Sequence, residues 1–285
     1  MTTHAIQFQK WQGTGNDFII PDPQTQDLYS HLKTQAAALC DRRKGIGADG
    51  LLFLLPSVIA DYKMVIINSD GSEPEMCGNG IRCLTSYIHS KNLSTEKNLT
   101  IETGAGIKEV MIVDSGMIKV NMGAPALDAP AIPVAIHSGQ VIKEKIIIDS
   151  KTMEFTAVSM GNPHAVIYTD NADDDLVKGL GPQIEKHPLF PKKINVEFIT
   201  VLSNKEIAMR VWERGCGETQ ACGTGACASV VSGILNKLHD NDVTVHLPGG
   251  DLFIQWGGQL TDPVYMTGPA QHVFDGTIRI KYEYF

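Results

Sequence analysis

Basic residues are in the minority in this chain: 24 Lys and Arg stand against 32 Asp and Glu, for a net charge of −8 at pH 7. No basic cluster, and no interleaving of basic with aromatic residues, offsets that balance. Nucleic acid and anionic membrane surfaces are therefore excluded as main partners. No apolar run is long enough to cross a bilayer. The start, Met1-Thr2-Thr3-His4-Ala5-Ile6-Gln7, carries no signal-peptide core. The expected compartment is the cytoplasm, where thiols stay reduced. Cysteine is sparse, at six in 285 residues, which excludes a disulfide scaffold. No C-x2-C pair exists, and the spacings Cys77/Cys83 and Cys222/Cys227 are not those of usual ligand sets, so no metal site is expected. Cys40, Cys83 and Cys227 read as small buried apolar residues.

What the chain does have is a hydrophobic fraction of 43%, enough to build one large domain or two of about 140 residues. It also has a duplicated cysteine setting. Cys77 opens Cys77-Gly78-Asn79-Gly80-Ile81-Arg82, and Cys222 opens Cys222-Gly223-Thr224-Gly225-Ala226. Each follows a turn-rich polar stretch and precedes an apolar helical pattern. A Gly-rich turn feeding a helix presents unpaired backbone N–H groups, an anion site in itself. A cysteine there has its thiolate stabilised. Two of them suggest a thiol acid and a thiol base around one anionic substrate.

The spacing extends the duplication. Asn16 precedes Cys77 by 61 positions and Asn162 precedes Cys222 by 60; Asn68 lies 9 before Cys77 and Glu213 lies 9 before Cys222. A period this long means two duplicated domains and not a solenoid. The Gly- and Pro-rich stretch from Gly123 to Pro133 divides them, giving halves at 1–122 and 123–270. Short β-branched or aromatic runs predict strands at Met64–Ile67, Glu109–Val113, Ile118–Met122, Ile146–Asp149, Ala165–Tyr168, Ile207–Trp212, Val243–His246 and Leu252–Trp256. Clean alternation predicts a half-buried strand over Thr277–Phe285. Helices are expected from Leu28 to Leu39, after Cys77 with Ile81, Leu84 and Ile88 on one face, and after Cys222 with Cys227, Val230, Val231, Ile234, Leu235 and Leu238 on one face. The last two are apolar enough to be the central helix of each half.

Longer motifs now add up. Lys10-Trp11-Gln12-Gly13-Thr14-Gly15-Asn16-Asp17-Phe18, Asn68-Ser69-Asp70-Gly71-Ser72 running into Met76-Cys77-Gly78-Asn79-Gly80, and Met160-Gly161-Asn162-Pro163-His164 stand in order. Asn195-Val196, the segment from Glu213 to Ala226 and Leu247-Pro248-Gly249-Gly250 follow. Together they resemble the diaminopimelate epimerase family along essentially the whole chain. The resemblance implies an α+β fold of two pseudo-twofold related halves, each a β-sheet wrapped around a central helix. It implies that residues 271–285 return as a strand to the first half. It also implies a cofactor-independent enzyme interconverting LL- and meso-diaminopimelate, on the route to lysine and peptidoglycan precursors, with a homodimer by analogy.

By the same resemblance Cys77 and Cys222 are the catalytic pair. Asn16, Asn68, Gly78, Asn79, Asn162, Asn195, Glu213, Arg214, Gly223 and Thr224 contact substrate. Arg214 would take the distal carboxylate, Glu213 the α-ammonium, and His164 would tune or orient a thiol. The residue types suit the chemistry. Inverting an α-carbon needs proton removal on one face and delivery on the other, and two opposed acid/base groups do this with least motion. An unperturbed thiol, with a pKa of about 8.5, titrates near enough to neutrality. Backbone N–H groups at the two helix starts would stabilise the carbanion through its carboxylate.

One position departs from the family pattern. The segment Gly47-Ala48-Asp49-Gly50-Leu51 has Gly50 where a substrate-contacting glutamine is common, which opens specificity towards other acidic amino acids such as glutamate. Three rivals remain: a proline racemase or hydroxyproline epimerase of the same fold, a thiol hydrolase pairing Cys222 with His164, and a non-catalytic binding protein.

Overall fold

The computed structural model describes residues 2–22, 29–113, 115–136 and 139–282. The first elements are β1 (Thr2–Gly13), β2 (Asn16–Pro21), α1 (Tyr29–Thr34), α2 (Ala36–Cys40), β3 (Gly50–Leu55), β4 (Tyr62–Asn68) and α3 (Gly78–Ser90). Then come β5 (Asn98–Thr103), β6 (Gly106–Ile112), β7 (Ile118–Asn121), β8 (Glu144–Ile148), β9 (Lys151–Ser159), β10 (Pro163–Tyr168) and, after a π-helical turn at Asp175–Leu180, α4 (Gly181–Glu185). The chain continues through β11 (Asn195–Ser203), β12 (Glu206–Glu213), β13 (Gly217–Glu218), α5 (Gly223–Leu235), β14 (Asp242–Leu247), β15 (Gly250–Gln255), β16 (Tyr265–Gly268) and β17 (Gln271–Tyr282).

Two compact units result, Met1–Val120 with Pro269–Phe285, and Asn121–Gly268. In the first, the strand order is β17-β1-β2-β3-β4-β5-β6-β7, antiparallel except for the parallel pairs β2–β3 and β4–β5. In the second, it is β8-β9-β10-β11-β12-β14-β15-β16, antiparallel except for β10–β11 and β12–β14. The two orders and directions coincide strand for strand. A parallel pair needs a crossover, and each unit has two. α1 and α2, or the π-turn and α4, cross on one face; α3 or α5 crosses on the other. Each sheet is thus wrapped on one face around its central helix.

Register makes the duplication residue-specific. Phe18 pairs with Gly50 as His164 pairs with Asn195. Gly50 then pairs with Asn68, and the pairing of Val196 with Trp212 sets Glu213 opposite Asn195. In this frame Asn16 matches Asn162, Phe18 matches His164, Gly50 matches Asn195, Leu52 matches Glu197 and Asn68 matches Glu213.

The central helices form for the same local reasons. Cys77 and Cys222 are their N-caps, with extended backbones (φ −142° and −122°). Ile81, Leu84 and Ile88 of α3, and Val230 and Val231 of α5, are fully buried, each side chain contributing about 1.5–3 kcal/mol. Both helices end alike. Asn92 (φ 54°) and Lys237 (φ 59°) adopt the left-handed conformation, and the next N–H turns back to Ile88 O or Gly233 O, a Schellman closure. This closure corrects the expected extent of the second helix: it stops at Leu235, and Leu238 lies beyond it, partly exposed. The helix expected from Leu28 to Leu39 is two short ones, broken at Gln35; Leu28 lies outside the described residues, as do 283–285 at the end of the expected strand. The outer faces carry their own cores. Leu32, Ala36 and Leu39 pack over Phe53 and Ile67 in the first unit, and Val177, Ile184 and Phe190 over Ala165 and Phe198 in the second.

Candidate functional site

At the start of α3 the Cys77 side chain accepts the N–H of Gly80 at 3.4 Å. Asn16 comes from the β1–β2 turn, and its Oδ1 takes the Cys77 thiol at 3.6 Å and Asn79 Nδ2 at 3.4 Å. The Asn16 amide is fixed from behind, because its Nδ2 donates to Asp49 Oδ2 at 2.7 Å. Asp49 and Asp17 share Arg42, and Lys10 pairs with Asp17 at 2.8 Å. Burial works to raise the Asp17 carboxyl, but Arg42 and Lys10 prevail and hold it at about 2. Beneath Cys77 the fully buried Arg82 donates to Gly78 O, to Thr14 Oγ1 and to Pro269 O, each at 3.1 Å. It thereby ties the β1–β2 turn and the entry to β17 onto the first turn of α3.

At the start of α5 the Cys222 side chain accepts the N–H of Gly225 at 3.4 Å, and Thr224 Oγ1 lies at 3.5 Å. The surroundings then diverge from those of Cys77. Glu197 on β11 and His164 on β10 are both fully buried, with Glu197 Oε1 2.7 Å from His164 Nδ1. The other ring nitrogen, Nε2, lies 3.0 Å from Asn162 Oδ1. Burial pushes the Cys222 thiol well above its usual range, and the charges of Glu213 and Glu197 push it further; Thr224 and the Gly225 N–H work the other way. Burial also raises Glu213, opposed by hydrogen bonds from Thr219 and Cys222. This thiol therefore rests protonated.

Other expected site residues are placed as follows. Gly78, Asn79 and Gly223 are buried at the helix starts, and Thr224 is half-buried. Asn68 closes β4 with its Nδ2 on Ser72 Oγ at 2.9 Å. Both ends of the Asn195 amide are engaged, Nδ2 on Pro163 O at 2.8 Å and Oδ1 on Arg214 N at 2.9 Å. Asn195 thus anchors the turn that carries Arg214. The exposed Arg214 guanidinium contacts Lys192 O at 3.3 Å and forms no ion pair among the described residues. Gly50 sits where a Cβ would lie 2.7 Å from Ile67 O, so the β3–β4 pairing itself excludes a side chain there unless the backbone shifts.

A family model described as "Diaminopimelate epimerase" matches residues 8–127 and 156–273. A relative of that name from Desulfitobacterium hafniense is 48% identical over 282 residues, covering 96% of this chain and 98% of the relative. Another, from Carboxydothermus hydrogenoformans, is 51% identical over 274 residues, covering 95% and 98%. The chain belongs to the diaminopimelate epimerase family. Among solved structures, a hydroxyproline epimerase from Agrobacterium vitis superposes with a TM-score of 0.70 at 14% identity, covering 98% of this chain and 92% of the other. That likeness shows the shared fold.

Within this diaminopimelate epimerase family member, one buried residue beside Cys222 escaped the sequence reading. Glu197 sits in the run Asn195-Val196-Glu197-Phe198, where a lone carboxylate reads as the wet face of a strand. β11 is instead buried on both faces from Asn195 to Ile199. The signal lay in the repeat frame, which sets Glu197 against Leu52. One ligand atom each from His164, Glu197 and Cys222 lie within 4.8 Å of one another. Both ring nitrogens of His164 are already engaged by protein oxygens, which leaves the ring no lone pair to offer an ion. No helix among the described residues is long and apolar enough to cross a membrane.

Proposed function

We propose that the chain is a diaminopimelate epimerase that interconverts the LL and meso isomers by proton transfer between the α-carbon and two thiols, Cys77 and Cys222. One observation carries this reading: a chain of this family places a cysteine as N-cap on the central helix of each repeat, with its sulfur on the N–H of the third helical residue. One thiol delivers a proton to one face of the α-carbon while the other sulfur, as thiolate, withdraws the proton from the opposite face. The roles exchange with direction.

The protonated resting state of Cys222 suits it to donate first. The flanking Glu213 carboxylate would receive the substrate ammonium, which would offset part of the charge that, after burial, raises the thiol. The backbone N–H groups at Gly78–Asn79 and Gly223–Thr224 hold the α-carboxylate as charge develops on it. One preorganised donor of this kind is worth about 2.7–4 kcal/mol in other enzymes, and each helix start offers more than one. Arg214, without an ion-pair partner among the described residues, is the cation for the distal carboxylate, where its planar fork gives bidentate recognition. The product serves lysine and peptidoglycan precursor synthesis, in a cytoplasm that keeps both thiols reduced.

The hydrolase reading needs a ring nitrogen of His164 directed at Cys222. Nδ1 is on Glu197 and Nε2 on Asn162, which disfavours it. The deciding experiment incubates the chain with LL-diaminopimelate in deuterated water without pyridoxal phosphate. Meso product carrying deuterium at one α-carbon is expected. Turnover of proline with none of diaminopimelate would replace the substrate assignment, and absence of α-exchange would end the epimerase reading.

A further inference from the structure

The buried Glu197–His164 pair is not required by the fold. In the first unit the matching positions hold Phe18 and Leu52, and the same contact recurs there. A Cβ at Gly80 would lie 3.1 Å from Leu52 Cδ2, and a Cβ at Gly225 would lie 2.7 Å from Glu197 Oε1. One frame accepts an apolar pair or an ion pair. The ion pair is the expensive choice, since both charges lose their water, and Glu197 Oε2 is buried with no hydrogen-bond partner. The second unit therefore holds the pair for its chemistry.

The hydrogen bonds show what that chemistry is. Asn162 Oδ1, 3.0 Å from His164 Nε2, can only accept. Nε2 must then carry the proton. On the far side of the ring, Nδ1 lies 2.7 Å from a carboxylate oxygen, which likewise accepts, so the ring donates from both nitrogens. Glu213 from β12 also acts on His164 electrostatically, and Cys222 on α5 completes the set of titratable groups around it. With its oxygen occupied, the half-buried Asn162 is left with Nδ2, which has no protein partner among the described residues.

Resting on the assignment of an anionic amino-acid substrate, we infer that His164 acts through Asn162. Held by Glu197, it fixes the Asn162 amide with the NH2 group outward, as donor to a carboxylate of the substrate. His164 and Glu197 are positioning residues for that amide, besides the charge that Glu197 adds near Cys222. Asn16, the matching residue of the first unit, is fixed the other way round. Its NH2 is spent on Asp49 and its oxygen faces Cys77 and Asn79.

The test has three arms. First, 15N NMR of the histidine rings in the unaltered chain at pH 7 should show His164 Nε2 protonated; a bare Nε2 overturns the inference. Second, the double variant His164→Phe/Glu197→Leu copies the first unit's pair and leaves no unpaired buried charge. Its KM for diaminopimelate should rise about fivefold to tenfold, the range of one lost hydrogen bond, with kcat within about threefold. A collapse of kcat at unchanged KM would mean that the ring serves proton transfer, and would overturn the inference. Third, Asn162→Ala removes the donor without adding charge, so adding it to the double variant should raise KM no further; additive effects would count against a shared path. If the double variant fails to fold, the ring spectrum still decides. If the unaltered chain does not turn over diaminopimelate, the substrate reading falls, while the ring spectrum still reports on the Asn162 lock.

Discussion

The two units share a strand order, two parallel pairs, a capped central helix and even the way that helix ends, yet the space around each cysteine is filled differently. Cys77 is partly exposed and Cys222 is buried. Phe18 and Leu52 hold in the first unit the positions of His164 and Glu197, which lie beside Cys222 in the second. Five residues into α3 is the buried cation Arg82, and five residues into α5 is the thiol Cys227. Duplication has supplied the geometry, two sulfurs on two helix starts. The burial and the charges that raise the Cys222 thiol belong to the second copy alone. For the two-thiol reaction proposed above, such a difference in setting gives the two sulfurs a way to hold different protonation states.

The largest expected effect tests whether both copies are needed. Cys77→Ala and Cys222→Ala should each lower kcat for epimerisation by at least about 10³-fold, within the range for loss of a positioned acid or base, with circular dichroism unchanged. Half-normal turnover by either variant would reduce the mechanism to one thiol. Next is the third helical residue. Gly225→Ala would force a methyl to within 2.7 Å of Glu197 Oε1 and 3.2 Å of Cys222 Sγ, whereas at Gly80 the tightest neighbour is the flexible end of Leu52. We expect kcat/KM to fall about 10²-fold for Gly225→Ala and less than about fivefold for Gly80→Ala. The latter also gains helix propensity of about 0.5–1 kcal/mol. Equal losses would erase the asymmetry.

A smaller effect concerns charge. Burial first, then Glu213 and Glu197, raise the Cys222 thiol. Removing one of the negative charges by Glu213→Gln should shift the pH dependence of Cys222 alkylation to lower pH, followed by mass spectrometry of the labelled peptide. A shift upward, or none, would contradict the electrostatic account. Gly50→Gln should destabilise by about 1–3 kcal/mol, as overpacking does, because of its approach to Ile67 O. Exchange of the glutamate α-proton, compared between this variant and the unaltered chain, then tests whether the glycine also loosens specificity.

The smallest effect is alkaline. Burial holds Cys40 at about 11 and Cys83 at about 12, above the unfolded value of about 8.5. The folded chain keeps these protons longer than the unfolded chain, so stability is full below about pH 8.5 and drains away as pH rises towards those higher values. Cys83→Ala should flatten that decline in urea melts taken from pH 8 to 10.

How much of this was open to a reader of the sequence depends on where each residue points. α3 and α5 were legible because their caps, glycines and apolar faces are local signals, and the Asn16/Asn162 and Asn68/Glu213 registers coincide with matching strand ends. β1 was not, since Lys10 is buried on the same face as Ile6 and Phe8; only its pairing with Asp17 across the hairpin and its hydrogen bond to Gly47 O make a lysine acceptable there. β3 and β11 have little alternation, being buried on both faces, as parallel strands are. The Glu197–His164 pair was hidden for a related reason. Its partner is 33 residues away in the chain, and nothing short of strand register says that a carboxylate and an imidazole will meet.

The pairing of β1 with β17 bears on the order in which the molecule takes shape. β8 lies next to β9 in the chain, so the second unit is one continuous stretch. The first unit waits for a strand that leaves the ribosome only after the entire second unit has been made. Until then the hydrogen-bonding edge of β1 is open, a template for another chain's strand. The second unit should therefore gain protease resistance first during translation, and a stalled chain ending near Gly268 would be the form most prone to aggregate.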